Sequence, residues 1–473
     1  MRRARGLTAV ALLSALVGAP APARALPSGP RVFCQTYATS PLCRAGVPAC
    51  SLCHTSPPGR NVYGAAVEAN LLAGRPRPIS DADFAAALPA ALAAIDAADS
   101  DGDGATNHDE IVAGTFPADD TSHPDPGGCA STLPNPYYGV CTYDRVFAYR
   151  KLLVDFCGQS PTFEQLGMFR ARDAAGQEAE LDAALDRCLV SEHWLGRDGV
   201  LWRMAYKKVR PIQALKSGEG EGLFPLGDYF DDFDYFVYAS TGDRDVRDLL
   251  LGQYYVTRSA STPTTYTRVE DLPQHFVPRE RRAGMLTQRW FLVYFIMFSP
   301  LQRTMASQAY RAYLGLDLAR LEGMYPVPNE PADYDDRGVA APGCAGCHST
   351  IDPLTYPFRD YDGLIGRPLG AYTPNRLTTL FTSGPSTLRN VPERGSIFGQ
   401  PVANLREWVE VAANSDAFAA AVVADYWTLL VGEPPQPSDQ AYAGLWRALR
   451  GADAYNVRAM LHRLIRTDVY GVP

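Results

Sequence analysis

The residues best equipped for chemistry occur twice in one pattern. ACSLCHTSPPG carries Cys50, Cys53 and His54, and GCAGCHSTIDPL carries Cys344, Cys347 and His348. Two thiols two residues apart, followed at once by an imidazole, suit covalent attachment of a c-type haem. Each thiol adds to one vinyl group and the imidazole turns in to bind the iron. Zinc or a redox dithiol also uses Cys-x-x-Cys. Zinc, however, requires two further ligands for each pair, and no second Cys or His pair follows either motif. The two copies therefore read as sites for two haem c groups, with His54 and His348 as the proximal iron ligands.

The opposite face of each iron sets its chemistry. Methionine there raises the potential, histidine lowers it, and an open position admits peroxide or oxygen. The candidates are His108 and His123 near the first motif and Met285, Met297, Met305, Met324 and His275 upstream of the second; His193 and His462 are the other unassigned histidines. The sequence leaves that choice open. Asp352 is a candidate partner for the His348 Nδ1–H, with Pro353 biasing it toward extended backbone. Arg359 and Arg367 are candidates for pairing haem propionates.

A third constellation is DSDGDGATNHDE, which fits a twelve-residue calcium loop. Asp99 takes position 1, Asp101 position 3, Asp103 position 5, the Ala105 carbonyl position 7, Asn107 position 9 and Glu110 position 12, with Gly104 at the sharp turn. Hard oxygen donors suit Ca2+ over softer metals, and a structural staple is expected rather than a sensor.

The compartment agrees with haem of this kind. MRRARG, LTAVALLSALVGA and PAPARA form the basic, apolar and small-residue parts of a signal peptide, with cleavage expected after Ala25. That apolar run is too short to span a bilayer, and so is the core-like run Trp290 to Phe298, so no membrane span is expected in the mature chain. The reading is an exported protein, periplasmic or extracellular. Of 10 cysteines, the four in the motifs leave Cys34, Cys43, Cys129, Cys141, Cys157 and Cys188. An even remainder in an oxidising compartment predicts disulfides, and pairing in sequence order closes the shortest loops. The net charge of −8 argues against nucleic acid or an anionic membrane as main partner. Another redox protein is the expected partner.

These groups must be positioned by a mainly α-helical chain, with two haem-attachment regions flanking a large helical middle region. Residues 1–25 are the signal peptide and 26–125 a cytochrome c-like domain with the calcium loop. Residues 126–335 are the helical middle region, entered through a Pro- and Gly-rich linker at about 122–140. Residues 336–473 hold the second haem segment and the C-terminal helices. Ser80, with Asp83 three residues on, predicts a helix start, and Pro89 predicts a break or kink. TPTTYTRVEDL reads as a short hairpin or a loop.

The second motif also carries a resemblance. CAGCHSTIDPL followed by RDYDGLIG resembles the haem segment of planctomycete-type exported cytochrome proteins, whose pattern is Cys-x-x-Cys-His-x-x-Ile-Asp-Pro-Leu and then Asn/Asp-Phe/Tyr-Asp-x-x-Gly. RAGMLTQ, SPLQR and SPTFEQLGMFRARDAAGQEAELDAALDRCLVSEHWL are similar to that family's upstream blocks, so the resemblance covers roughly residues 140 to 473. Where the family has Gly-Phe after Pro-Leu, this chain has Thr355, Tyr356 and Pro357. The first motif, with Asn61, Tyr63, Gly64 and the EF-hand- or dockerin-like loop, is similar to small exported cytochrome-like domains. The resemblance implies a di-haem c-type cytochrome that transfers single electrons and is braced by calcium, but it names no reaction. Two alternatives stand beside it: a di-haem oxidoreductase resembling cytochrome c peroxidase, with one open haem, and a non-catalytic haem and calcium protein that docks a periplasmic redox complex.

Overall fold

A computed structural model describes residues 28–43, 47–56, 59–75, 79–120, 122–124, 142–209, 230–259, 261–366 and 368–472. The expected leader, Cys129, Cys141 and Arg367 lie outside these residues.

Four helices build a first unit: α1 (Gly29–Thr36), α2 (Val62–Leu71), α3 (Asp81–Ala93) and α4 (Asn107–Ala113). They enclose their own apolar core, which includes Phe33, Leu52, Tyr63, Leu88, Leu92 and Ile111. A short hairpin, β1 (His54–Ser56) with β2 (Gly59–Arg60), connects the first motif to α2. Ser80 caps α3 by accepting from the Asp83 amide at 3.1 Å, as its position predicts. The expected break at Pro89 does not occur; α3 runs through it to Ala93. Proline removes one amide from the ladder. The buried face of Ala87, Leu88, Ala91 and Leu92, packed toward α1 and α2, keeps the helix continuous.

The rest of the chain forms a larger helical body. Its first part holds α5 (Arg145–Cys157), α6 (Phe163–Arg170), α7 (Ala174–Cys188), α8 (Glu192–Leu195), α9 (Val200–Val209), α10 (Phe230–Ala239) and α11 (Asp248–Leu251). Asp144 caps α5 by accepting from the Val146 and Phe147 amides, and Thr162 with Gln165 forms a capping box at α6. The ambiguous segment is a hairpin: β3 (Tyr255–Arg258) pairs antiparallel with β4 (Tyr266–Val269), Tyr255 opposite Val269. The apolar run is α12 (Arg289–Ile296), which ends at Met297 with φ 44° before α13 (Arg303–Leu314).

The second motif opens α14 (Pro342–Thr355). After it come two small hairpins, β5 (Tyr361–Asp362) with β6 (Ala371–Tyr372) and β7 (Gly395–Ile397) with β8 (Gln400–Val402), on either side of the short α15 (Arg376–Leu380). Helices α16 (Leu405–Ala413), α17 (Asp416–Val431), α18 (Gln440–Arg450), α19 (Val457–Leu464) and α20 (Asp468–Gly471) close the chain. One apolar cluster runs from Ala148 to Tyr470, so the core has no break near residue 335. No helix among the described residues is long and apolar enough to cross a membrane.

Disulfides join Cys34 to Cys43 and Cys157 to Cys188, with Cα–Cα separations of 5.6 and 4.8 Å, as pairing in sequence order predicts. The remaining pair falls outside the described residues.

The two units meet at a seam just before the first motif. Val47 is buried in the core of the body rather than in that of its own unit. A small crevice of about 90 Å³ lies there, with Pro48, Ala49 and Leu52 on one side and Leu316, Glu322 and Gly323 on the other. Gln440 Nε2 donates to Ala113 O at 3.3 Å. Gly114, at φ 92°, lies so close to Pro437 that a Cβ would stand 2.7 Å from its carbonyl oxygen.

Candidate functional site

Cys50 and Leu52 bound a single 3-10 turn, so the first motif is a tight loop rather than a helix. The Cys34–Cys43 bond secures the chain before it, and Asn61 grips it from behind. The Asn61 side chain donates to Ser51 O at 2.9 Å and Leu52 O at 3.0 Å, and accepts from the Gly64 amide at 2.8 Å to cap α2. Its own amide donates to Cys53 O at 3.1 Å. Gly64 is required because α2 crosses directly over Cys53: a Cβ would stand 2.0 Å from the Cys53 carbonyl oxygen. The His54 Nδ1 lies 3.0 Å from Gly59 O, an acceptor, and 3.3 Å from Arg60 Nη1, a donor, so Nδ1 is the engaged nitrogen and Nε2 is the one left for a metal. Partial burial holds the His54 pKa below its usual value, and Arg60 adds to this. The neutral imidazole that a metal requires is thereby favoured. Burial pushes the Cys53 thiol up to about 12.

The second motif is helical. Pro342 occupies the first turn of α14, where its missing amide costs nothing. Cys344 and Cys347 are exposed, and a Cβ added at Gly343 or Gly346 would meet nothing within 4 Å. His348 Nδ1 is 2.9 Å from Asp352 Oδ1. Asp352 is fully buried and is itself held by Arg303, whose Nε and Nη2 reach its two oxygens at 2.7 and 2.8 Å. The same guanidinium grips Asp335 at 2.7 and 3.0 Å. The expected Asp352 partnership is present, yet its cause differs. Pro353 lies inside α14, and Asp352 meets His348 one helical turn on, not from an extended backbone.

The two motifs come together. Arg303 begins α13 and Asp352 lies near the end of α14, so these packed helices set the start of α14 toward the end of α13. Leu316, just beyond that end, lines the crevice beside Ala49 and Leu52. The Val327 amide donates to Ser349 O at 2.9 Å, four residues after Gly323 in the same crevice. Burial raises the Cys50 thiol, and the Cys347 thiolate raises it further, which puts the sulfurs of the two motifs within electrostatic reach.

These residues fit covalently held haem. Among the described residues the four motif cysteines are the free ones, while the others are disulfide-bonded. Each adjacent histidine has Nδ1 engaged. A zinc cluster is not assembled. The only described group of three or more His, Cys, Asp or Glu with ligand atoms within 4.8 Å of one another is Asp99, Asp101 and Asp103.

That acidic triad sits in the loop the sequence marks out. Asp99 accepts from the Gly102 and Gly104 amides at 2.7 and 2.9 Å, both glycines having positive φ, and Ala105 N donates to Asp103 Oδ1 at 2.7 Å. Glu110 is fully buried, and neither carboxylate oxygen has a hydrogen-bond partner. Burial, then Asp101, Asp103 and Asp99, push its pKa up to about 8. An orphaned buried carboxylate facing three more is costly unless a cation joins them. Asn107, at position 9, is also tied into the loop by hydrogen bonds. Its buried side chain accepts from Ser100 N at 3.2 Å and donates to Ile95 O at 2.7 Å, so it braces the loop.

Most remaining histidines are committed elsewhere. His275 is buried with Nε2 2.8 Å from Asp231 Oδ2 and its ring 4.1 Å from that of Tyr255. His462 is held between Asp182 and Asp186 at 2.7 and 3.0 Å, and His193 packs on Gly158. His108 lies 3.6 Å from Asp96, and His123 is exposed. Met285 and Met305 are fully buried in the body core, and Met297 ends α12. Met324 is half-buried in the segment between the crevice and α14. Arg359 donates to Val391 O and pairs with Asp360, so it is taken up within the fold. Sequence reading missed Arg303 and Asp335; the only signal was the quoted SPLQR, whose arginine is Arg303.

No family model matches the chain, and no curated protein or solved structure matches it either.

Proposed function

We propose that the protein is an exported di-haem c-type cytochrome that transfers single electrons, with one Ca2+ bracing its N-terminal unit. One observation carries this reading: both Cys-x-x-Cys pairs stay as free thiols beside an Nδ1-anchored histidine, while the other described cysteines are disulfide-bonded. Haem c supplies an iron that changes oxidation state by one electron. Cys50 and Cys53 with His54, and Cys344 and Cys347 with His348, are the holding groups. Gly59 O and the Asp352–Arg303–Asp335 chain orient the imidazoles and tune their basicity. Asp99, Asp101, Asp103 and Glu110 hold the calcium. The natural partner is another single-electron redox protein.

The test is expression in a host with c-type haem maturation, followed by denatured-haem quantitation and spectra with and without peroxide. Two covalent haems per chain and spectra indifferent to peroxide are expected. A high-spin fraction that reacts with peroxide would move the assignment to the peroxidase-like reading. Chains with no covalent haem would overturn it.

A further inference from the structure

The proposed function leaves open whether the two haems act separately or together. The fold bears on this through the packing of Val47 and its crevice at the seam, and through one backbone tie within the body that leads from that crevice to the second motif. Val47, three residues before Cys50, is inserted into the core of the body, so the first motif is rooted in the unit that carries the second. Leu316 and Gly323 of the body wall the crevice against Ala49 and Leu52, which flank Cys50. From Gly323 the chain reaches Val327, whose amide is bonded to Ser349 O, the residue after His348. Four residues of extended chain span at most about 14 Å. The backbone beside the first motif and the backbone beside the second are therefore tied by a short leash, and the packing of α13 on α14 turns the cysteine end of α14 the same way. Cys344 and Cys347 are exposed at that end.

We propose that the two motifs hold their haems as one electron-transfer pair across this seam, so that the protein is a two-site conduit, not two independent carriers in one chain. The inference rests on the di-haem reading above and adds the coupling. Haems held by Cys50, Cys53 and His54 and by Cys344, Cys347 and His348 would supply one-electron exchange between the two sites, one iron oxidised as the other is reduced. The electron enters from a single-electron donor protein at one site and leaves to a single-electron acceptor protein from the other. Exposure of the α14 face makes the second motif the outward-facing site, and Asp352, Arg303 and Asp335 lie behind it rather than in the path of a partner.

The test compares the full chain with C50A/C53A and C344A/C347A. Haem per chain is counted first: two, one and one are expected, and a full chain without covalent haem would overturn both the di-haem reading and this inference. Circular dichroism in the Soret region then reads the coupling. The full chain is expected to show a two-signed couplet that is lost in each single-motif variant, and its stepwise reduction is expected to differ from the sum of the two variants. A full chain with two haems whose spectrum and titration equal that sum would overturn the pairing while leaving the di-haem reading intact. V47D is a second probe, because it keeps both motifs. It is expected to retain two haems and lose the couplet; an undiminished couplet with two haems would remove the seam from the argument.

Discussion

At the scale of single residues, the second histidine is governed by charges behind it. Arg303 neutralises Asp352, which is buried and bonded to His348. Removing one partner of a buried pair strands the other charge, so Arg303→Leu is expected to cost about 3–5 kcal/mol in denaturant unfolding. Arg303→Lys should recover only part of that, because an ammonium cannot bind two carboxylates through a planar fork. On the proposed di-haem reading, Asp352→Asn would remove a negative charge that favours ferric iron. Its expected signature in a spectroelectrochemical titration is a raised potential at the second haem alone. Glu110 gives the pH prediction. Its carboxyl is raised from the usual 4.5 to about 8 in the metal-free fold, so the folded state holds a proton that the unfolded chain has released. That contribution to stability is full below about pH 4.5 and is lost as pH rises through 8. Calcium-free protein should therefore lose stability across this window in thermal melts, while calcium affinity should rise over it as the proton ceases to compete. A Glu110→Gln variant should lose both trends. Cys50, Cys53, His54 and their second copies stand out in the sequence because their pattern is a local spacing. Arg303 and Asp335 do not, because they meet Asp352 only through tertiary packing.

At the scale of elements, the first motif depends on a helix that holds it from behind. Gly64→Ala puts a methyl group into the Cys53 carbonyl, and α2 must shift away. Overpacking of this kind costs about 1–3 kcal/mol. The expected result is haem loading that falls toward one per chain, with the second site unaffected. The Cys157–Cys188 bond joins the ends of α5 and α7 across a separation of 31 residues. Replacing both by serine should lower unfolding stability by about 2–4 kcal/mol, and reductant should destabilise the parent by more than the variant, which keeps only Cys34–Cys43 among the described disulfides. The mainly helical class was legible, and so was the start of α3, where Ser80 accepts from the Asp83 amide; the cap at Asp144 was not singled out. Pro89 and Pro353 misled for a shared reason. A proline predicts a boundary from local sterics, but a buried helical face outweighs one missing hydrogen bond.

At the scale of the whole molecule the described residues form two large apolar cores, one within residues 32–111 and one from 148 to 470 joined by Val47, and a small third cluster of Leu301, Tyr356, Leu377, Leu388 and Val391. Only the smaller of the two large cores contains the loop of Asp99, Asp101 and Asp103, the proposed calcium site. Thermal unfolding should therefore resolve into two steps, with chelator lowering the first and sparing the second. At a free calcium concentration ~100 times Kd, the ion stabilises its unit by about 2.7 kcal/mol, enough to be seen by calorimetry. The boundary between these cores was hinted at by the Pro- and Gly-rich stretch before residue 141. The continuity of the larger core through residue 335 was not, because composition changes around the second motif while packing does not.

The placement of Val47 also has a consequence for biogenesis. On the proposed exported, di-haem reading, Cys50 and Cys53 would meet the haem-attachment machinery long before Leu316, Pro437 and Gln440 had crossed the membrane. The first thiols would then be accessible in a half-built setting, and their surroundings would close only when the last helices arrive. Truncation before α18 should thus yield chains that accept the first haem readily but leave it accessible to small reductants, so the C-terminal helices act as a late seal on the earliest site.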